Sequence, residues 1–338
     1  MASSAAHPLR FVRFDELDGI ANVIVDGSAG PSTRLVLSHW PGSATPDDLA
    51  DDLSAQIALR SLDRPELFDG IEAVSNNHFD QDGLMSIYAL VDPDGAGARR
   101  DLVIDVARAG DFGWFESRDA ARISMTIAAF GEADRSPLDP ATFADADPTG
   151  ALYEACLARL PDLLDDVARH RASWEAEDAH LDESMRAIAD GTVTIDEHPD
   201  ADLAIVRVPE AWARRTVHRF TTEWSRAVHP MAINSATRRF RILVVQGRLA
   251  QLECRYETWV RFRSRPFTPR PDLRLLAADL NAREGSARWH ADPPGALAPI
   301  LGSAADDEST LDPDVLVATI TEWLRTAAPA WDPDAPVW

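Results

Sequence analysis

His78, Asp80 and Asp82 alternate along the stretch Ala73-Val74-Ser75-Asn76-Asn77-His78-Phe79-Asp80-Gln81-Asp82-Gly83. In extended backbone, residues two apart point to the same side, so one imidazole and two carboxylates converge on one point. That donor set suits Mn²⁺, Mg²⁺ or Zn²⁺. A polar surface turn is the plainer use of the same residues, because Asn, Asp and Gly favour turns.

Other candidate ligands stand at the ends of apolar, β-type runs. Asp26 closes Asn22-Val23-Ile24-Val25, and His39 closes Arg34-Leu35-Val36-Leu37-Ser38. A fourth such run, Asp101 to Val106, carries Asp105 and leads to Asp111. In an open parallel sheet, ligand sites form outside the carboxyl ends of the strands, where Asp26, His39, His78, Asp80, Asp82, Asp105 and Asp111 are expected to gather.

His78-Phe79-Asp80-Gln81-Asp82-Gly83 resembles the first metal-binding motif of the DHH phosphoesterases, a strand-terminal His-x-Asp-x-Asp. The resemblance covers about ten residues. It implies a two-domain enzyme with a two-cation centre, Mn²⁺ or else Mg²⁺ or Zn²⁺, acting on a small phosphorylated substrate. It departs from that family in lacking an Asp-His-His tripeptide and the Gly-rich motif ending in His. Asp26 and Ser38-His39 would supply the missing ligands in permuted order, with Ser38 where an acidic residue is expected. The whole chain also resembles an actinobacterial family without an assigned function.

The chemistry expected is hydrolysis of a small phosphoester, such as a nucleotide or a short oligonucleotide. Two cations about 3.5–4 Å apart would share a carboxylate, lower the pKa of a water and neutralise phosphoryl oxygens. His78, Asp80 and Asp82 are the expected catalytic set, with Asp80 or Asp82 as the shared carboxylate and His78 and His39 as terminal ligands. The alternatives are a non-catalytic ligand-binding or regulatory protein with an eroded centre, and a metal-assisted hydrolase of another bond.

A second constellation is Tyr256-Glu257-Thr258-Trp259-Val260-Arg261-Phe262-Arg263-Ser264-Arg265. As a strand it would align Arg261, Arg263 and Arg265 on one face. They would clamp a phosphate or pair with carboxylates. His218, His229 and His290, with the ten Trp residues, read as packing or hydrogen-bonded residues.

The 338 residues suggest two domains. The fold class expected is α/β: an N-terminal domain, residues 1–190, on a mostly parallel sheet, then an α+β domain over 200–338 for substrate binding or accessory roles. The boundary falls in the composition shift from Gly191 to Asp202. A helix is expected from Thr45 as cap, with Leu49, Leu53, Ile57 and Leu62 on its apolar face. Later signals are a hairpin from Phe240 to Phe262 around Gln246-Gly247, and a last helix capped by Asp312-Pro313.

Net charge is −23, and every one of the 33 basic residues is Arg. A long polyanion is therefore not an expected partner, whereas a small phosphorylated ligand can be held locally by cations. No apolar run is long enough to span a bilayer and Met1 to Arg13 lacks a leader pattern, so no membrane partner is expected. Two distant cysteines, Cys156 and Cys254, fit a reducing, cytoplasmic setting.

Overall fold

The computed structural model describes residues 8–217, 226–266, 268–285, 288–303 and 307–335. The chain is a mixed α/β protein of two compact units. The first comprises the residues up to Asp178 together with Phe262–Ser264, and the second comprises the rest.

In the first unit, strands β1 (Arg10–Phe11), β2 (Asn22–Val25), β3 (Thr33–Leu37) and β4 (Ala73–Ser75) form one sheet in the order β1-β4-β2-β3. Every neighbouring pair is parallel. Val23, Ile24, Val25 and Leu37 are fully buried, as short continuous apolar runs in a parallel sheet should be. Helices α1 (Ser54–Ser61), α2 (Gln81–Val91), α3 (Pro93–Ala98), α4 (Arg100–Asp111) and α5 (Arg118–Phe130) follow, then α6 (Thr149–Leu157), α7 (Leu160–Asp165) and α8 (Arg171–Ala189), whose residues from Ala179 on belong to the second unit. Buried from Gln81 to Leu90, α2 packs against α1 and α4, which makes it the spine of the helical layer.

Two expected elements differ. Residues 101–106 are not a strand but part of α4. Leu102-Val103-Ile104 is β-type over three residues, yet Val103, Val106, Ala107 and Gly110 recur at helical spacing and are all buried. The helix expected from Thr45 begins only at Ser54. The Thr45 hydroxyl donates to the Ser38 carbonyl and accepts from the Ser38 amide, which binds it to the end of β3 instead of capping a helix. Leu49, Leu53 and Ile57 are nonetheless core residues.

The second unit holds a six-stranded sheet of β5 (Thr194–His198), β6 (Leu203–Val208), β7 (Arg241–Gln246), β8 (Leu249–Cys254), β10 (Trp289–Ala291) and β11 (Ile300–Ser303). The short strands β9 (Arg270–Pro271) and β12 (Pro329–Trp331) pair separately. The six-stranded order is β10-β11-β8-β7-β6-β5, with β6 and β7 parallel and the other pairs antiparallel. Leu273, Leu276 and Leu280 of α10 (Leu273–Glu284) and Leu316, Ile320 and Leu324 of α11 (Pro313–Thr326) join one core with strand residues such as Leu243 and Leu252. A separate core joins Ala187, Val193 and Val228 to Ile233 of α9 (Pro230–Ala236) and to other strand residues such as Ala204 and Val206. The hairpin turn uses Gly247 at φ +59°, a left-handed conformation that favours glycine. Asp312 caps α11 as its sequence implies, accepting from the Asp314 amide.

The expected strand continuing to Phe262 stops at Cys254. Arg255 and Glu257, both buried, form an ion pair at 2.5 Å, and Tyr256–Thr258 makes a single 3₁₀ turn. Period-two alternation therefore does not hold across Arg261, Arg263 and Arg265.

Gly110 fixes how closely α4 approaches α2. A Cβ there would lie 2.6 Å from the Cβ of Gln81, a buried residue whose amide donates to the Ser124 carbonyl. Gly110→Ala gains about 1 kcal/mol in helix propensity but costs about 1–3 kcal/mol in overpacking. We expect a lower urea midpoint for this variant; an unchanged or higher midpoint would show that the helices can part without cost.

Candidate metal centre

The site forms where three parallel strands end. Asp26 follows β2, His39 lies just beyond β3, and Asn76, Asn77 and His78 follow β4. Asp26 has φ +44°, a left-handed conformation that Asp adopts at modest cost. Its amide donates to the Leu37 carbonyl and its carbonyl accepts from the Asn76 side chain, so the backbone is held from both neighbouring strands.

The start of one helix, α2, supplies both remaining carboxylates on this side. Asp80 is the N-cap of α2, where its Oδ1 accepts from the Gly83 amide at 2.8 Å. Asp82 lies in the first turn of α2, and its two oxygens accept from the Ser54 and Ala55 amides at the start of α1, each at 2.7 Å. The convergence of His78, Asp80 and Asp82 is thus not strand alternation throughout: it combines an extended residue with a helix turn. Asp111 reaches the cluster from the C-terminal end of α4 rather than from a strand.

Around His39 Nε2 stand Asp26 Oδ1 at 3.3 Å, Asp111 Oδ2 at 3.5 Å and Asp82 Oδ2 at 3.8 Å. Around His78 Nε2 stand Asp80 Oδ2 at 3.1 Å and Asp26 Oδ2 at 3.4 Å. Two sets of ligand atoms, Asp26-His39-Asp82 and Asp26-His78-Asp80, each lie within 4.8 Å of one another. The first, inner set is fully buried, and the second, outer set has a His78 side chain one-third exposed. Asp26 belongs to both and turns one oxygen to each, so it is the carboxylate common to the two sets, where the sequence pointed to Asp80 or Asp82.

Orientation of the rings is fixed from behind. His39 Nδ1 is 2.6 Å from the Asp52 carbonyl, which can only accept, so Nδ1 carries the proton and Nε2 faces the carboxylates. The His78 carbonyl accepts from the buried Tyr153 hydroxyl at 2.7 Å, and its amide donates to Asn76. Ser54 Oγ donates to Asp26 Oδ1 at 2.8 Å. Sequence reasoning missed Asp52, Ser54, Asn76 and Tyr153; the signal that could have shown the local geometry is Asp80, a residue type favoured at N-caps, just ahead of the apolar run of α2.

Charge couples these groups tightly. Burial would lower the His39 pKa, but the hydrogen bond and charge of Asp26 and the charge of Asp82 raise it to about 9. Burial opposes His78 likewise, and Asp80 and Asp26 raise it to about 11. Burial and then the Asp26 charge push Asp82 up to about 7. Burial would raise Asp26 as well, yet the two imidazoles hold it well below the usual carboxylate range.

The other expected residues lie elsewhere. Asp105 accepts from the Glu116 and Ser117 amides and pairs with Arg108, so it ties the α4–α5 loop and joins neither ligand set. Arg261 pairs with Asp334 at 3.4 Å. The Arg265 guanidinium lies 3.9 Å from the Phe240 ring centre and bonds the Arg238 carbonyl. Arg263 is exposed, with its amide bonded to Asp52. His229 is buried and caps α9, His290 is exposed on β10, and His218 lies outside the described residues.

One protein-family model, described as "Family of unknown function (DUF6687)", matches residues 7–335. The chain belongs to that family. No curated protein and no solved structure matches it. In this DUF6687 member, no helix among the described residues is long and apolar enough to cross a membrane.

His39, His78 and Asp82 hold protons more tightly in the folded chain than in the unfolded one. The stability this confers is complete below pH of about 4 for Asp82 and about 6.5 for the histidines. It drains as pH rises through about 7 for Asp82 and about 9 for His39. Chelator-treated protein should therefore melt at falling temperature from pH 5 to 9. With divalent cations present the trend should reverse, because cations displace those protons. Parallel curves with and without chelator would contradict this electrostatic account.

Proposed function

We propose that this DUF6687 protein is a metal-dependent phosphoesterase whose centre holds two divalent cations. The carrying observation is the spacing about His39: its Nε2 lies 3.3–3.8 Å from three carboxylate oxygens. Hydrogen bonds between such groups are closer, at about 2.7–2.9 Å. Ligands about one cation with bonds of about 2.1 Å stand about 3.4 Å apart. The charge count agrees. Asp26, Asp80, Asp82 and Asp111 carry four negative charges, which two divalent cations balance when both imidazoles are neutral.

His39, Asp82, Asp111 and one oxygen of Asp26 would hold the inner cation; His78, Asp80 and the other oxygen would hold the outer. Imidazole and carboxylate donors admit Mn²⁺, the ion that the likeness to the DHH phosphoesterases implies, with Mg²⁺ and Zn²⁺ as alternatives. Such a pair supplies Lewis acidity, making water a nucleophile at neutral pH and compensating charge on phosphoryl oxygens. The chain's part is to fix the ligands. The N-terminus of α1 holds Asp82, that of α2 is capped by Asp80, and the Asp52 carbonyl sets the His39 tautomer.

Balanced charge at the centre lets a small anion approach a protein of net charge −23. A small phosphoester, a nucleotide or short oligonucleotide, is the substrate class proposed. The likeness of His78-x-Asp80-x-Asp82 to the DHH phosphoesterases supports this, since all three side chains fall within the two ligand sets. The alternative, a non-catalytic protein with an eroded centre, is favoured by the missing Asp-His-His tripeptide and by Ser38 in place of an acidic ligand.

After reconstitution with Mn²⁺ and removal of excess, elemental analysis should find two ions per chain. Asp26→Asn should lose both. Its hydrolysis of a bis-aryl phosphodiester should fall by more than about a hundredfold, the upper end of what changes behind the ligands cost. Full loading in that variant, or no loading in the parent, would end the proposal. Arg263→Gln tests the remaining arginine of the expected clamp. If it touches the substrate, KM rises while kcat and Mn²⁺ content hold; unchanged KM removes it from the site.

A further inference from the structure

Phe262–Ser264 lies far beyond the ligands in sequence, with Arg263 211 residues after Asp52, yet it packs within the first compact unit. Two observations tie it to the inner cation position. The Arg263 and Ser264 amides both donate to Asp52 Oδ1, at 2.6 and 2.8 Å, while the Asp52 carbonyl accepts from His39 Nδ1 at 2.6 Å. Buried Phe262 meets Phe112 edge-on, with ring centres 5.4 Å apart, and Phe112 directly follows Asp111.

Asp52 therefore faces both ways. Its side chain receives the distant segment and its main chain fixes the ring whose other nitrogen faces three carboxylates. Carboxylate and carbonyl belong to one residue, so a backbone shift at Asp52 carries both, and groups behind metal ligands control ligand orientation.

We propose that Asp52 is a positioning residue that couples the seating of Phe262–Ser264 to cation binding at the inner position. Each event strengthens the other by the same factor, as linkage requires. This rests on the two-cation reading of the centre. The segment is then part of the metal-site apparatus although it belongs to a different stretch of the chain.

The test uses the full chain, Mn²⁺ titration by calorimetry and hydrogen exchange of the amides in 262–264. Asp52→Ala should weaken the inner Mn²⁺ site by about 10–100-fold, the range for groups behind ligands. Asp52→Asn, whose amide oxygen can still accept the two N–H groups, should restore affinity to within a few-fold. Phe262→Ala should weaken the same site from the segment side. In the parent, Mn²⁺ should slow exchange at Arg263 and Ser264 by the factor lost in Asp52→Ala, an effect a merely structural residue would not give. If Asp52→Ala fails to fold, the Phe262→Ala titration and the parent's exchange decide the matter. Two bound Mn²⁺ with unchanged affinity in the variants, or exchange indifferent to Mn²⁺, overturns the coupling and leaves the two-cation centre standing. A parent that binds no Mn²⁺ overturns both.

Discussion

The Asp26 carboxylate is the constraint on which the first unit's architecture turns. It is 1% exposed, projects from a left-handed backbone position at the end of β2, and offers one oxygen to each of two imidazoles. A residue in ordinary strand conformation at that point would direct its side chain to one face of the sheet. The turn at Asp26 instead brings the carboxylate over the ends of β3 and β4, whose neighbouring loops carry His39 and His78. Strain of this kind persists only where the surroundings over-determine it, and bonds from both flanking strands do so here.

Gathering carboxylates in a buried place is costly unless each is compensated. The fold compensates by aiming donors at them: the first amides of α1 at Asp82, the first turn of α2 at Asp80, the Ser54 hydroxyl at Asp26. Helix starts carry partial positive charge, so the same geometry that stabilises the ligands also lightens the negative field. Close packing then sets distance. Gly110 lets α4 approach α2 near enough for Asp111 to reach His39, and Gly83 does the like for Asn76 and Tyr153, whose polar atoms lie 2.4 Å from where a Cβ would sit.

Much of this was legible in the residues. The apolar runs ending at Asp26, Ser38-His39 and Asn76-Asn77-His78 do end parallel strands, and the gathering of potential ligands at strand ends follows from parallel-sheet geometry. Less legible was anything that depends on a window's length. Leu102-Val103-Ile104 reads as strand over three residues and as helix over eleven, and the longer period won because Val103, Val106, Ala107 and Gly110 face the core together. That change separates Asp105, which caps a loop, from Asp111, which joins the cluster. Arg261, Arg263 and Arg265 were aligned only on the premise of a strand, and the buried Arg255–Glu257 pair ends that strand first. The sharing of Asp26 between two sets was invisible, because backbone sign at one aspartate is a tertiary outcome.

The most direct test of the account is anomalous diffraction from crystals grown with Mn²⁺, recorded above and below the manganese edge. Two peaks are predicted, one on each side of the Asp26 carboxylate: the inner among Asp26, His39, Asp82 and Asp111, the outer among Asp26, His78 and Asp80. A map with no peak beside Asp26, or with Mn²⁺ bound only at distant surface carboxylates, would contradict it.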